Sequence, residues 1–128
     1  MKFNSRWHRM AITAMALAGM SFAWDAQATV LRVITVQTDQ VSAYVQALEG
    51  GKAILKRLGS SAVLRVWRAH FAGPNAGSVT VSIEYPSMVV LAQDEAKAYA
   101  DADYTKWLAG LGQLRKVVSD SVYDEMKP

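Results

Sequence analysis

The chain has 128 residues, enough for one domain and too few for a large multidomain enzyme. Its formal charge is +3, from 14 Lys and Arg against 11 Asp and Glu, but Lys2, Arg6, Arg9 and Asp25 all lie in the first 28 residues, leaving 11 basic against 10 acidic side chains beyond them. A remainder so close to neutral is a poor nucleic-acid binder, which normally shows a basic stripe, and with no cysteine, disulfides, thiolate catalysis and cysteine-ligated metals are excluded.

Lys2, Arg6 and Arg9 precede an apolar run of MAITAMALAGMSFAW, and Ala26-Gln27-Ala28 follows it. Basic, apolar and A-x-A segments in that order describe a secretory signal peptide. The run is shorter than the roughly 20 apolar residues a spanning helix needs, and Gly19 and Ser21 interrupt it. We expect Sec-type export with cleavage after Ala28, a domain of residues 29–128, a periplasmic or secreted destination and no stable membrane anchor afterwards. Arg6 and Arg9 are not adjacent, so the twin-arginine route has no support.

Val30 to Gln37, VLRVITVQ, is β-branched and short enough for a buried strand. Thr38 and Asp39 are suited to start a helix, since their oxygens accept orphan amide hydrogens. Val41, Tyr44, Val45, Leu48, Leu55 and Leu58 then recur at helical steps. Gly50-Gly51 interrupts that stripe, which predicts a kink or a close approach. Ala62 to Phe71 reads as a second strand, residues 72–77 as a turn, and Ser78 to Tyr85 as a third strand that alternates cleanly. The two strands and their turn predict an antiparallel hairpin. Ser87 can cap a second helical stretch through Leu91, Glu95 and Tyr99, and Asp103 a shorter piece through Trp107 and Leu111. Arg115 to Tyr123 forms the last strand.

The order strand, helix, strand, strand, helix, strand predicts an α+β, ferredoxin-like βαββαβ fold: a four-stranded antiparallel sheet with its helices on one face. Strand positions of both parities are apolar, as in Val33 with Ile34 and Val117 with Val118. The uncovered face therefore calls for a partner, and a second copy of the chain is the expected one.

The stretch from Arg65 to Trp107 resembles the dimeric α/β barrel superfamily, particularly its NIPSNAP-like and antibiotic biosynthesis monooxygenase-like members. The features that carry the resemblance are Gly73 and Gly77 in the hairpin turn, Glu84-Tyr85-Pro86-Ser87 at the strand-to-helix junction, and Asp103 shortly before Trp107. It implies a ferredoxin-like protomer and a dimeric barrel. It does not imply one chemistry, because relatives include cofactor-free oxygenases and haem-handling proteins.

His70 is the one histidine beyond residue 28, too little for a metal site, and no metal or other cofactor is expected. Arg68 lies two residues before it, on the same strand face if the strand runs that far. A face-preserving hairpin register would bring both beside Thr80, Ser82 and Glu84. Arg68, His70 and Glu84 are thus the candidate ligand-binding residues, suited to an anionic or carbonyl-bearing ligand. A solvated face or a structural Arg68–Glu84 ion pair is the plainer account and is favoured, because such pairs are common without catalysis. Trp67, Trp107, Tyr44, Tyr85, Tyr99 and Tyr123 are expected in the core. Lys52, Lys56 and Arg57 should form a solvated helix face. The leading functional expectation is a small-molecule-binding or structural module with an apolar pocket. The alternative is a cofactor-independent oxygenase using that pocket, with haem binding through His70 a weaker third.

Overall fold

The structure, a computed structural model, describes residues 28–128. The expected signal peptide lies outside them, save for Ala28. Strand β1 spans Val30–Gln37, helix α1 Val41–Arg57, β2 Val63–Arg68, β3 Val79–Tyr85, α2 Met88–Tyr99, α3 Ala102–Leu111 and β4 Lys116–Asp124. The strands lie in the order β2-β3-β1-β4, and every neighbouring pair is antiparallel. This is the expected ferredoxin-like βαββαβ arrangement, with the second helical unit divided into α2 and α3.

Direct pairing assigns the two faces of the sheet, because residues opposite one another point the same way. Val30, Arg32, Ile34 and Val36 of β1 sit beside Tyr85, Ile83, Val81 and Val79 of β3. Leu64 and Val66 of β2 continue that face. It packs on the helices: Ile34, Val36, Val79 and Val81 form one core cluster with Tyr44 and Leu48 of α1 and Leu111 of α3. Val30, Tyr85 and Leu91 form a second, smaller cluster. The opposite face carries Leu31, Val33 and Thr35, flanked by Thr80, Ser82 and Glu84 of β3 and Ser119, Ser121 and Tyr123 of β4. No helix covers it.

Helix α1 does not take a side-chain cap from Thr38 or Asp39. Gln40 occupies the cap position, while the Thr38 hydroxyl accepts from the Gln40 amide at 3.0 Å and donates to the Leu114 carbonyl at 2.6 Å. Thr38 ties the start of α1 to the chain entering β4. Ser87 caps α2 as expected, its hydroxyl accepting from the Val90 amide. The cap of α3 is Asp101 rather than Asp103: its carboxylate accepts from the Tyr104 amide at 3.0 Å and from Arg57 at 2.8 and 2.9 Å. Arg57 thereby joins α1 to the α2–α3 break and is not simply a solvated charge.

The Gly50-Gly51 pair marks a close approach within an unbroken helix. The Trp107 ring lies across Gly51, and its indole N–H donates to the Ala47 carbonyl at 2.7 Å. A Cβ built at Gly51 would fall 2.6 and 2.8 Å from two ring carbons, whereas one at Gly50 would meet the same ring at 3.5 Å. Alanine relieves about 1 kcal/mol of helix cost relative to glycine, while overpacking typically costs about 1–3 kcal/mol. Gly50→Ala should therefore raise the denaturant midpoint, and Gly51→Ala should lower it and shift Trp107 fluorescence. Equal effects of the two in urea melts would contradict the ring placement.

Candidate functional site

The residues singled out from the sequence do not come together. Strand β2 ends at Arg68, so His70 stands in the exposed connection. Gly73 and Gly77, both at positive φ, and a 3₁₀ turn at Gly73–Asn75 lead the chain into β3. Ten residues, 69–78, separate the last partners of the ladder, Arg68 and Val79. An even-length connection pairs even-numbered residues of β2 with odd-numbered residues of β3. Arg68 consequently shares the helix-side parity of Val79, whereas Glu84 lies opposite Val63 on the uncovered face, at the other end of the hairpin. Arg65, not Arg68, meets Glu84, at 3.3 Å. Both partners are well exposed, and such a pair contributes only about 0–1 kcal/mol.

Trp67 also departs from expectation. It is 53% exposed, on the uncovered face, its indole N–H donating to the Ser82 hydroxyl at 2.7 Å. Tyr99 and Tyr123 are likewise more than half exposed. Tyr44 and Tyr85 are buried as expected, and Trp107 packs against the main core cluster.

The chemistry gathers instead between the helices and the covered face of the sheet. A cavity of about 70 Å³ lies there, with Ile34, Leu48, Val81, Ile83 and Leu111 among its apolar lining and Tyr99, Tyr104 and Trp107 along the helical side. Arg32, Arg115 and Asp120 also line it. β1 carries Arg32 toward the helices because its position has the same parity as Val30, Ile34 and Val36.

Three nitrogens of Arg32 are committed. Nε donates to Asp120 Oδ1 at 3.0 Å and one terminal nitrogen to Asp120 Oδ2 at 2.6 Å. The other terminal nitrogen donates to Glu95 Oε1 of α2 at 2.5 Å. Paired, planar contacts of this kind are the stronger form of a charge-assisted hydrogen bond. They tie α2 to β4 across β1. Arg115 donates to the Tyr44 hydroxyl at 2.8 Å, with its guanidinium carbon 5.6 Å from the centre of that ring. Among the described residues, no buried side-chain nitrogen or oxygen lacks a hydrogen-bond partner.

The Arg32 hydrogen bonds, more than its charge alone, hold the Asp120 carboxyl below the usual carboxylate range. Burial, reinforced by nearby Glu95, pushes the Tyr85 hydroxyl up to about 12. Burial also raises Tyr104. Neither phenol is primed to ionise near neutral pH.

A folded-state pKa below the unfolded value means that the folded protein binds fewer protons through that interval. The Arg32–Asp120 contribution is therefore fully present above the ordinary aspartate value of about 3.9. It is lost as pH falls through the lower folded value. Asp120→Asn should flatten stability against pH in that acid range and leave the curve's shape near neutrality unchanged. Urea midpoints measured from acid to neutral pH check this. An unaltered acid limb would contradict it.

Arg32 was legible in part: a charge at the buried parity of an apolar strand is a signal in its own right. Nothing local to Glu95, Arg115 or Asp120 announces that they share its neighbourhood.

No protein-family model matches the chain, and no curated protein is similar to it. Solved structures are similar in fold. A NIPSNAP family protein of unknown function from Agrobacterium tumefaciens is 16% identical with a TM-score of 0.61, over 77% of this chain and 89% of that one. A second NIPSNAP family protein from the same organism is 13% identical with a TM-score of 0.59, over 78% and 86%. SnoaB from Streptomyces nogalater, a cofactor-independent oxygenase, is 10% identical with a TM-score of 0.56, over 79% and 94%. The resemblance read in the sequence is thus borne out at the level of fold.

Proposed function

We propose that this protein is an exported, homodimeric small-molecule-binding module, with a ligand held in each protomer between the helices and the sheet. The observation that carries the reading is the cavity itself: an apolar space with three aromatic side chains on one side and two arginines at its wall. A few polar groups set in a mostly apolar concavity are the usual composition of a small-molecule site. The basic-apolar-small order of residues 1–28 supports export. The uncovered sheet face supports the dimer, with Val63, Trp67 and Tyr123 each more than 40% exposed. A second copy laid sheet against sheet would close a barrel and bury them.

The second reading is a cofactor-independent oxygenase acting on a small organic molecule in the same cavity, favoured by the likeness of fold to SnoaB. Binding is preferred because His70, the one histidine among the described residues, stands in an exposed connection apart from the cavity. Native mass spectrometry of protein purified from the exported fraction tests the main reading. The expected species is a dimer lacking residues 1–28 and carrying one small adduct per protomer. Leu108→Trp, which fills the cavity from α3, should remain dimeric and lose the adduct. A wild-type monomer at low micromolar concentration, an adduct-free wild type, or an adduct retained by Leu108→Trp would overturn it. Oxygen uptake in the presence of a small hydroquinone would favour the enzyme instead.

A further inference from the structure

We infer that the ligand of this cavity is a short-chain monocarboxylate whose carboxylate is held by Arg115 and whose apolar end packs against Ile34, Val81 and Leu111. The inference rests on the cavity being a ligand site, and adds the class of ligand.

The arrangement of charge carries it. Two guanidiniums and two carboxylates occupy this end of the helix–sheet layer. Arg32 takes both carboxylates, with Asp120 held at two oxygens and Glu95 at one. Arg115 is left with a neutral partner, the Tyr44 hydroxyl, as its one side-chain hydrogen bond among the described residues. A guanidinium offers five N–H donors in a fork that fits a carboxylate. Arg115 is partly buried and lines the cavity, so an anion there meets it in a medium less polar than water, where the attraction is stronger.

Size and lining narrow the class. The cavity of about 70 Å³ is small beside the roughly 300–1,000 Å³ of ordinary ligand pockets. It admits an acid of two or three carbons but not a polycyclic one without opening. Its apolar wall favours a molecule with one charged end and one hydrocarbon end. Inorganic phosphate lacks the hydrocarbon end and would bring more negative charge toward Asp120 and Glu95. A cationic ligand would meet the same carboxylates already occupied by Arg32.

Propionate and its neutral near-isostere propionamide are the probes. The readout is methyl NMR of Ile34 and Ile83, both of which line the cavity. Propionate should shift these methyls saturably, and propionamide should bind at least tenfold more weakly. Arg115→Gln keeps a donor for Tyr44 but removes the charge, and should weaken propionate at least tenfold. Equal binding of acid and amide would overturn the carboxylate assignment and leave the cavity as a ligand site. Undiminished propionate binding by Arg115→Gln would overturn the role of Arg115. If neither probe reaches the methyls, this inference fails, while the binding reading is decided separately by the adduct in the native mass spectrum. The acid–amide comparison uses unaltered protein, so it decides even if the variant folds poorly.

Discussion

Leu48→Ala should destabilise the protein by about 2–5 kcal/mol, the range for removing a buried leucine side chain. Leu48 is 1% exposed and packs in the same cluster as Tyr44, Val36 and Val81. Domains of ordinary stability unfold at a cost of about 5–15 kcal/mol, so this one change would remove a large fraction of the total. The melting temperature should fall by at least about 8 °C, given about 4–8 °C per kcal/mol for a domain of this size. Leu48 also lines the cavity, so truncation should enlarge the space as it weakens the fold. Val89→Ala, at a position 53% exposed on α2, is the matched control and should change stability by less than about 0.5 kcal/mol. Comparable urea midpoints for the two variants would place Leu48 outside the core.

Val33→Lys should convert the proposed dimer to a monomer without unfolding it. Val33 lies on the uncovered face of β1, between Ser82 of β3 and Ser121 of β4. In a sheet-to-sheet dimer the substitution acts twice, placing two ammonium groups inside one interface. Burying an unpaired charge is strongly unfavourable, whereas in the monomer the same lysine reaches water. The dimer dissociation constant should rise at least a hundredfold, about 2.8 kcal/mol at about 1.4 kcal/mol per factor of ten. Sedimentation velocity across micromolar concentrations reads this directly, and circular dichroism verifies that the fold is kept. A Val33→Lys protein that dimerises like the wild type would place the interface elsewhere.

Much of the fold was legible because its determinants are local. Alternation through Ser78–Tyr85 gives β3 its buried Val79, Val81 and Tyr85, and Ser87 supplies the cap its side-chain chemistry suits. The site was less legible. The expected grouping of Arg68, His70 and Glu84 depended on a connection of odd length, whereas the expected turn at 72–77 and the observed connection at 69–78 are both even and reverse it. His70 further required β2 to run past Arg68, where the strand ends. Trp67 was expected in the core because aromatic area favours burial. Its parity places it with Arg65 on the uncovered face instead.

The sequence by itself determined the order of elements and the antiparallel hairpin. Periodicity, caps and turn residues act over a few positions and can be read along the chain. Only the tertiary structure decided that Arg32 of β1 holds Glu95, 63 residues away on α2, and Asp120, 88 residues away on β4. Only it left Arg115 with Tyr44, 71 residues distant, at the wall of an apolar cavity. Which charges neutralise one another depends on distances set by strand order and helix packing, and chain spacing does not encode those distances.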